Sequence, residues 1–400
     1  MINAKMESLG KKRSSIREIF EYSKKRKEEI GAENVFDFSI GNPSVPAPKE
    51  VKDALLELVS DSDKTDLHAY TSAQGDKEVR KSISEYVNKR FSAHTDPDLI
   101  YLTSGAAAAL TITVKAIVSS PDDEVIVLSP FFPEYKVFIE GAGAKMKQVS
   151  LLPPNFSLDV EALKNAIDKN TVAIIINSPN NPTGTILTSD EISVLSDMLK
   201  TKQKEIGHNI YLISDEPYRE LVYNGEELPY VTEYYENSIV CYSYSKCLSL
   251  PGERIGYILV NPASESAVSL YNAIMGAGRT LGYVCAPSIF QFMLKKCLDA
   301  KSDISVYKRN RDILYENLTA LGFECAKPSG AFYVFMKSPE DDANAFCERA
   351  KAHELLFVPG DDFGCRGYVR IAYCTETKMI ENSISAFAAL AKEYNLKKQA

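Results

Sequence analysis

The feature that most constrains this fold is an alternation, from about residue 99 to residue 260, of short apolar runs with stretches of helical spacing. LIYL, EVIVL, TVAIIIN, NIYLISD, SIVCYS and IGYILV have the length and β-branched content of strands. AAAALTITVKAIV, YKVFIEGAG and EISVLSDMLK, which fall between them, have the apolar period of helices. Strands separated by helices pair in parallel. TVAIII is apolar on successive residues, as a strand covered on both faces must be. The expected architecture is a large α/β domain, a mostly parallel sheet flanked by helices. In such sheets ligands sit beyond the carboxyl ends of the strands, beside the helix N-termini that follow.

The chain has 400 residues, more than one ordinary core. Ile16, Ile19 and Phe20 mark a first amphipathic helix, with Ser14 or Ser15 as cap and Gly31 as stop. FDFSIGNPSVPAP (36–48) carries four breakers, Gly41, Pro43, Pro46 and Pro48, and reads as an extended linker before the helical KEVKDALLELV. After about residue 285 the helices lengthen, through SIFQFMLKKCLD and VYKRNRDILYENLTAL. FYVFM, LLFV and YVRIA then read as strands before a final helix. The expected division is 1–47 as an N-terminal arm and part of a small domain, 48–284 as the large ligand-binding domain, and 285–400 as a small α+β domain.

Charge narrows the function. Forty-six basic and 54 acidic residues give a net charge of −8, mixed along the chain, which is no footprint for nucleic acid. The patch from Lys24 to Lys27 is expected to solvate a helix face. All eight cysteines follow residue 240 without a CxxC pair, and the chain has four histidines, so no metal site is expected. The first fifteen residues lack the apolar core of a secretory signal, and no apolar run has the length of a membrane span. The expectation is a cytoplasmic protein with free thiols and no membrane or nucleic-acid partner.

Reactive residue types collect at the expected strand ends. In CYSYSKCLSLPGERIGY, Lys246 follows a strand and Arg254 lies eight residues on. A lysine desolvated beside fixed positive charge loses its proton and attacks carbonyls. Arg254 with the Ser243 hydroxyl would hold a dianionic phosphate. YLTSGAAAAL turns from strand to helix through Ser104 and Gly105, where amides and the helix dipole favour an anion, though AAAAL is also simply good helix sequence. Phe132 in PFFPEY offers a plate for an aromatic ligand, with core packing as the alternative. NSPNNPTG is ordinary turn composition. Asp215 in SDEPYR ends a strand where a buried carboxylate needs a partner such as a protonated ring nitrogen. Glu216 competes for that role, and either acid is otherwise a cap or an ion pair. Arg370 in GYVRIAY has the planar fork that matches a carboxylate, with Arg366 as its rival and a water-facing arginine as the plain reading.

Taken in order, these segments resemble the class I and II aminotransferases, the fold-type I pyridoxal phosphate enzymes of the aspartate aminotransferase kind. The resemblance spans nearly the whole chain. It implies a pyridoxal 5'-phosphate cofactor held as an aldimine on Lys246, with the amides of Ala106 and Ala107, Ser243 and Arg254 on its phosphate. Phe132 would stack on the ring, Asn181 of NPTG would bond the ring oxygen, Asp215 the ring nitrogen, and Tyr218 the phenolic oxygen. Arg370, Gly41 of IGNP and Asn181 would bind the substrate. Tyr70 in HAYTSAQG would reach a partner's phosphate across a homodimer with shared active sites. Arg279 is either a contributor to a neighbouring site or a structural arginine in a glycine-rich loop. Catalysis would rest on Lys246, Asp215 and Tyr218, moving an amino group from an L-amino acid to a 2-oxo acid by a ping-pong route. A carbon–sulfur lyase, another fold-type I enzyme, and a non-enzymatic regulator on this scaffold are the alternatives. Position 107 lacks a lysine or serine to grip a second carboxylate, which favours a neutral or aromatic donor over aspartate.

Overall fold

The computed structural model describes residues 2–11, 15–60 and 65–397. Its strands are β1 (Phe36–Asp37), β2 (Ile100–Thr103), β3 (Glu124–Ser129), β4 (Lys145–Ser150), β5 (Thr171–Asn177), β6 (Tyr211–Glu216), β7 (Ser238–Ser243), β8 (Gly256–Val260), β9 (Tyr333–Lys337), β10 (Leu355–Leu356), β11 (Val358–Pro359) and β12 (Tyr368–Ala372). The helices are α1 (Ala4–Lys11), α2 (Ser15–Ile30), α3 (Lys49–Ser60), α4 (Lys77–Arg90), α5 (Gly105–Ile117), α6 (Glu134–Ala142), α7 (Val160–Ala166), α8 (Ser189–Ile206), α9 (Ala267–Leu281), α10 (Ser288–Cys297), α11 (Ser305–Ala320), α12 (Ala343–Lys351) and α13 (Thr377–Glu393). Ser15 opens α2 and Gly31 follows its end at φ +92°; Ser14, the other expected cap, lies outside the described residues.

The chain divides into two compact units. The larger, Val45–Asn180 with Ile186–Asp303, is built on a seven-stranded sheet ordered β2-β8-β7-β6-β5-β3-β4. Neighbours from β4 to β7 are parallel, while β8 runs antiparallel to both β7 and β2. One buried cluster packs Ala109, Ile112 and Val114 of α5 with Val125 and Val127 of β3, Ile175 of β5, Ile213 of β6 and Ile239 and Cys241 of β7. Because side chains alternate along a strand, Asp215 and Ser243 extend the rows of Ile213 and of Ile239 and Cys241, at the carboxyl ends of their strands.

The other unit comprises Met1–Ser44, Asn181–Thr185 and Ile304–Ala400. Its three-stranded sheet β11-β12-β9 is antiparallel, and β1 pairs in parallel with β10. The expected strand LLFV is therefore divided between two sheets.

These boundaries differ from the expected ones. The second boundary falls at 303/304 rather than 284/285, because α10 packs against α3 and α4, and Gln291 on it accepts a hydrogen bond from Asp76 N at 2.8 Å. The first falls at 44/45 rather than 47/48. Asn181–Thr185 also joins the smaller unit, where the Gly184 carbonyl accepts from Ser329 N and Gly330 N, both at 2.9 Å.

Candidate active site

In the larger unit, Lys246 lies half-buried in a tight turn directly after β7. Ser249 N and Leu250 N bond back to the carbonyls of Lys246 and Ser245, fixing that turn. Arg254 adopts φ +54°, unusual for a residue with a side chain. Its Nη2 donates to Ser104 O at 3.2 Å and its Nη1 to Pro251 O at 3.0 Å and Ser245 Oγ at 3.4 Å. Ser104 is the residue before α5, so the guanidinium stands at the N-terminus of that helix, where backbone N–H groups and the dipole add positive potential. Gly105 has φ +81°, and a Cβ there would come within 2.6 Å of Arg254 Nη2. The first turn presents Ala106, half-buried, and Ala107, exposed.

The Ser243 hydroxyl donates to Ser245 Oγ at 2.9 Å, so Ser245, between Ser243 and Lys246, is the hydroxyl that meets Arg254. Sequence reasoning passed over it, although the SYSK pattern carries both serines. Guanidinium, hydroxyls and a helix start form a donor set suited to a phosphate dianion.

Asp215 is 4% exposed. Its Oδ2 accepts from the Tyr135 hydroxyl at 2.5 Å, while its Oδ1 is buried with no partner among the described residues. Asn177 Nδ2 holds the Asp215 backbone carbonyl at 2.8 Å. Burial raises the carboxyl pKa to about 7; the Tyr135 bond opposes that rise and the charge of Glu216 adds to it. Glu216 points to the opposite face, where Arg219 and Ser214 satisfy both of its oxygens. Of the two rival acids, Asp215 is thus the one with an unmet oxygen, which suits a protonated ring nitrogen. Tyr218 is buried in the turn after β6. Phe132, half-buried, meets Tyr135 edge to face at 5.6 Å. This donor set, an orphaned carboxylate oxygen with a cationic phosphate cradle and a lysine, fits a phosphorylated pyridine aldehyde.

In the smaller unit, Arg370 on β12 is buried between two rings, with its guanidinium carbon 4.7 Å from the centre of Tyr333 and 4.9 Å from that of Phe363. Its Nη1 donates to Asn181 Oδ1 at 3.1 Å and its Nη2 to Ser39 O at 2.5 Å, while Nε has no partner among the described residues. Arg366 by contrast is 92% exposed. Gly41 packs against Tyr333, whose hydroxyl would be 2.0 Å from any Cβ there. Asn181, Gly41 and Arg370 share this unit; the residues around Lys246 and Asp215 share the other. Tyr70, in the larger unit, is 97% exposed. Arg279 is exposed on α9, so it is a helical residue and not one in a glycine-rich loop.

The chain resembles known proteins along its length. Residues 33–387 match the model of aminotransferase class I and II. The aspartate/prephenate aminotransferase of Thermus thermophilus is 31% identical over 361 residues, 87% of this chain and 89% of that one. A crystal structure of an aminotransferase from Eubacterium rectale superposes with a TM-score of 0.97 at 54% identity, covering 99% of both chains. The aspartate aminotransferase of Thermus thermophilus with maleate gives 0.85 at 26% identity, covering 98% and 99%. The protein belongs to the class I and II aminotransferases and is a pyridoxal phosphate-dependent transferase of that family.

Proposed function

We propose that this enzyme transfers an amino group from an L-amino acid to a 2-oxo acid in two half-reactions, with ping-pong kinetics, through Lys246. The observation that carries this reading is the buried Asp215 oxygen that has no partner among the described residues, in the same unit as Lys246 and the Arg254 cradle. When bound, the cofactor supplies the carbonyl for the lysine and a ring that withdraws electrons from the substrate Cα. Arg254, Ser245, Ser243 and the amides of Ala106 and Ala107 hold its phosphate, and Phe132 covers one face of the ring. Asp215 keeps a positive charge on the ring nitrogen, while Asn181 and Tyr218 bond the ring oxygen. Lys246 Nζ carries the proton to and from the substrate Cα as general base and acid. Arg370, pre-oriented by Tyr333 and Phe363, takes the substrate carboxylate with Gly41 and Asn181 beside it.

A homodimer is part of the proposal. Tyr70, Leu281, Tyr283 and Val284 expose apolar surface around the segment where Cys285 N bonds Ala73 O, and a second copy would cover it, with Tyr70 reaching the partner's phosphate. The eight free cysteines support a reducing compartment, the cytoplasm, and a role in amino-acid metabolism follows from the reaction.

The test is a single half-reaction. Holoenzyme mixed with an amino donor and no acceptor is expected to release one 2-oxo acid per subunit and stop. Continuous turnover without acceptor would point to lyase chemistry and refute the proposal. The donor panel sets aspartate, the substrate in the relatives' names, beside the neutral and aromatic amino acids suggested by Ala107.

A further inference from the structure

The turn that carries Phe132 carries a second ring three residues on. Tyr135, at the second position of α6, is 2% exposed, and its hydroxyl ends 2.5 Å from Asp215 Oδ2. A buried tyrosine needs one acceptor, and a backbone carbonyl is the usual choice. Here the acceptor is a carboxylate already held through its main chain by Asn177, and its other oxygen has no partner among the described residues.

We infer that Tyr135 is a positioning residue for the cofactor ring: its hydroxyl locks the Asp215 carboxylate so that Oδ1 faces the ring nitrogen, and biases the shared proton toward that nitrogen. The inference rests on the assignment of Asp215 to that nitrogen. A phenol donating to a carboxylate stabilises the ionised form, so a proton between Oδ1 and a pyridine nitrogen spends more time on the nitrogen. The other groups facing Asp215 cannot take this role. Glu216 is spent on Arg219 and Ser214, and Cys241, its cross-strand neighbour, is engaged with Thr113 at 3.5 Å. Burial foremost, and then the charge and hydrogen bond of Asp215 with a smaller push from Tyr218, hold the Tyr135 phenol far above its ordinary range, so it stays a donor throughout the working pH range.

The experiment follows the ring nitrogen itself. Holoenzyme is loaded with cofactor labelled with 15N in the ring, and its resonance is compared between wild type and Tyr135→Phe. The expected result is a move toward the unprotonated pyridine position, with cofactor binding weakened about tenfold, the scale of one charge-assisted hydrogen bond. Turnover should fall with little change in the donor KM. An unchanged resonance and affinity, with only a lower melting temperature, would make Tyr135 a structural tyrosine and overturn the inference. Should Tyr135→Phe fail to fold, 3-fluorotyrosine at position 135 is a stronger donor of nearly the same shape. It is expected to move the resonance the opposite way, and no movement would overturn the inference equally. Asp215→Asn separates the two levels: if that variant leaves the resonance unchanged, the assignment of Asp215 itself fails, whatever Tyr135 does.

Discussion

Two buried charges at residue scale lead to measurable expectations. Asp215 has a folded pKa of about 7 against an ordinary 3.8, so between those values the native cofactor-free protein binds more protons than the unfolded chain. Its stability relative to Asp215→Asn should therefore fall as pH rises from about 4 to about 7, by an amount on the order of a few kcal/mol. Bound cofactor, by giving Oδ1 a cationic partner, should flatten that slope. Chemical denaturation of both forms across this range checks it, and identical slopes with and without cofactor would count against the pairing. Arg370 presents a planar fork between two rings, which lysine cannot reproduce. Arg370→Lys should lower kcat/KM about tenfold to a hundredfold, mainly through KM. Steady-state kinetics against two donors would show it, and an unchanged KM would remove Arg370 from carboxylate binding.

At the scale of elements, the strand-to-helix turn at Gly105 couples backbone and cradle. Alanine there must hold φ +81° with a Cβ 2.6 Å from the Arg254 guanidinium. Gly105→Ala is expected to destabilise the fold by about 1–3 kcal/mol and to weaken cofactor binding, measured by thermal melting and cofactor titration. The control lies far along the chain at α8, whose start is a reciprocal cap between Thr188 and Glu191. Thr188→Ala should cost about 1 kcal/mol of stability with kinetics unchanged. Elements were legible where the apolar signal was strong. The runs at 171–177 and 238–243 read as strands because they are apolar almost throughout, and all of their residues but Val172 are buried. β4 was not legible: KMKQVS lies at the sheet edge with most of its residues at least partly exposed, so it lacks an apolar run. Nor does sequence show that β8 runs antiparallel, since an apolar strand looks the same in either direction.

For the whole molecule, the order of the site segments along the chain was readable, and their grouping was not. The candidate residues fall into two sets: Gly41, Asn181 and Arg370 belong to the smaller unit and the rest to the larger, with Asn181 in a stretch whose flanks belong to the larger one. Tyr135 and Ser245 escaped notice because their roles depend on what their hydroxyls meet, Asp215 and Arg254, from segments 80 and 9 residues away. The exposed Tyr70 carries the proposed assembly. Sedimentation should give a particle of about twice the 44.4 kDa chain mass, and Tyr70→Phe should weaken cofactor binding; a fully active monomer would contradict shared sites. The central claim is the covalent role of Lys246, and the most direct measurement is borohydride reduction of the pyridoxal phosphate-loaded enzyme followed by peptide mass mapping. One cofactor fixed per subunit, on Lys246 and absent from Lys246→Ala, is the expected result. An adduct on a different lysine, or none, would contradict it.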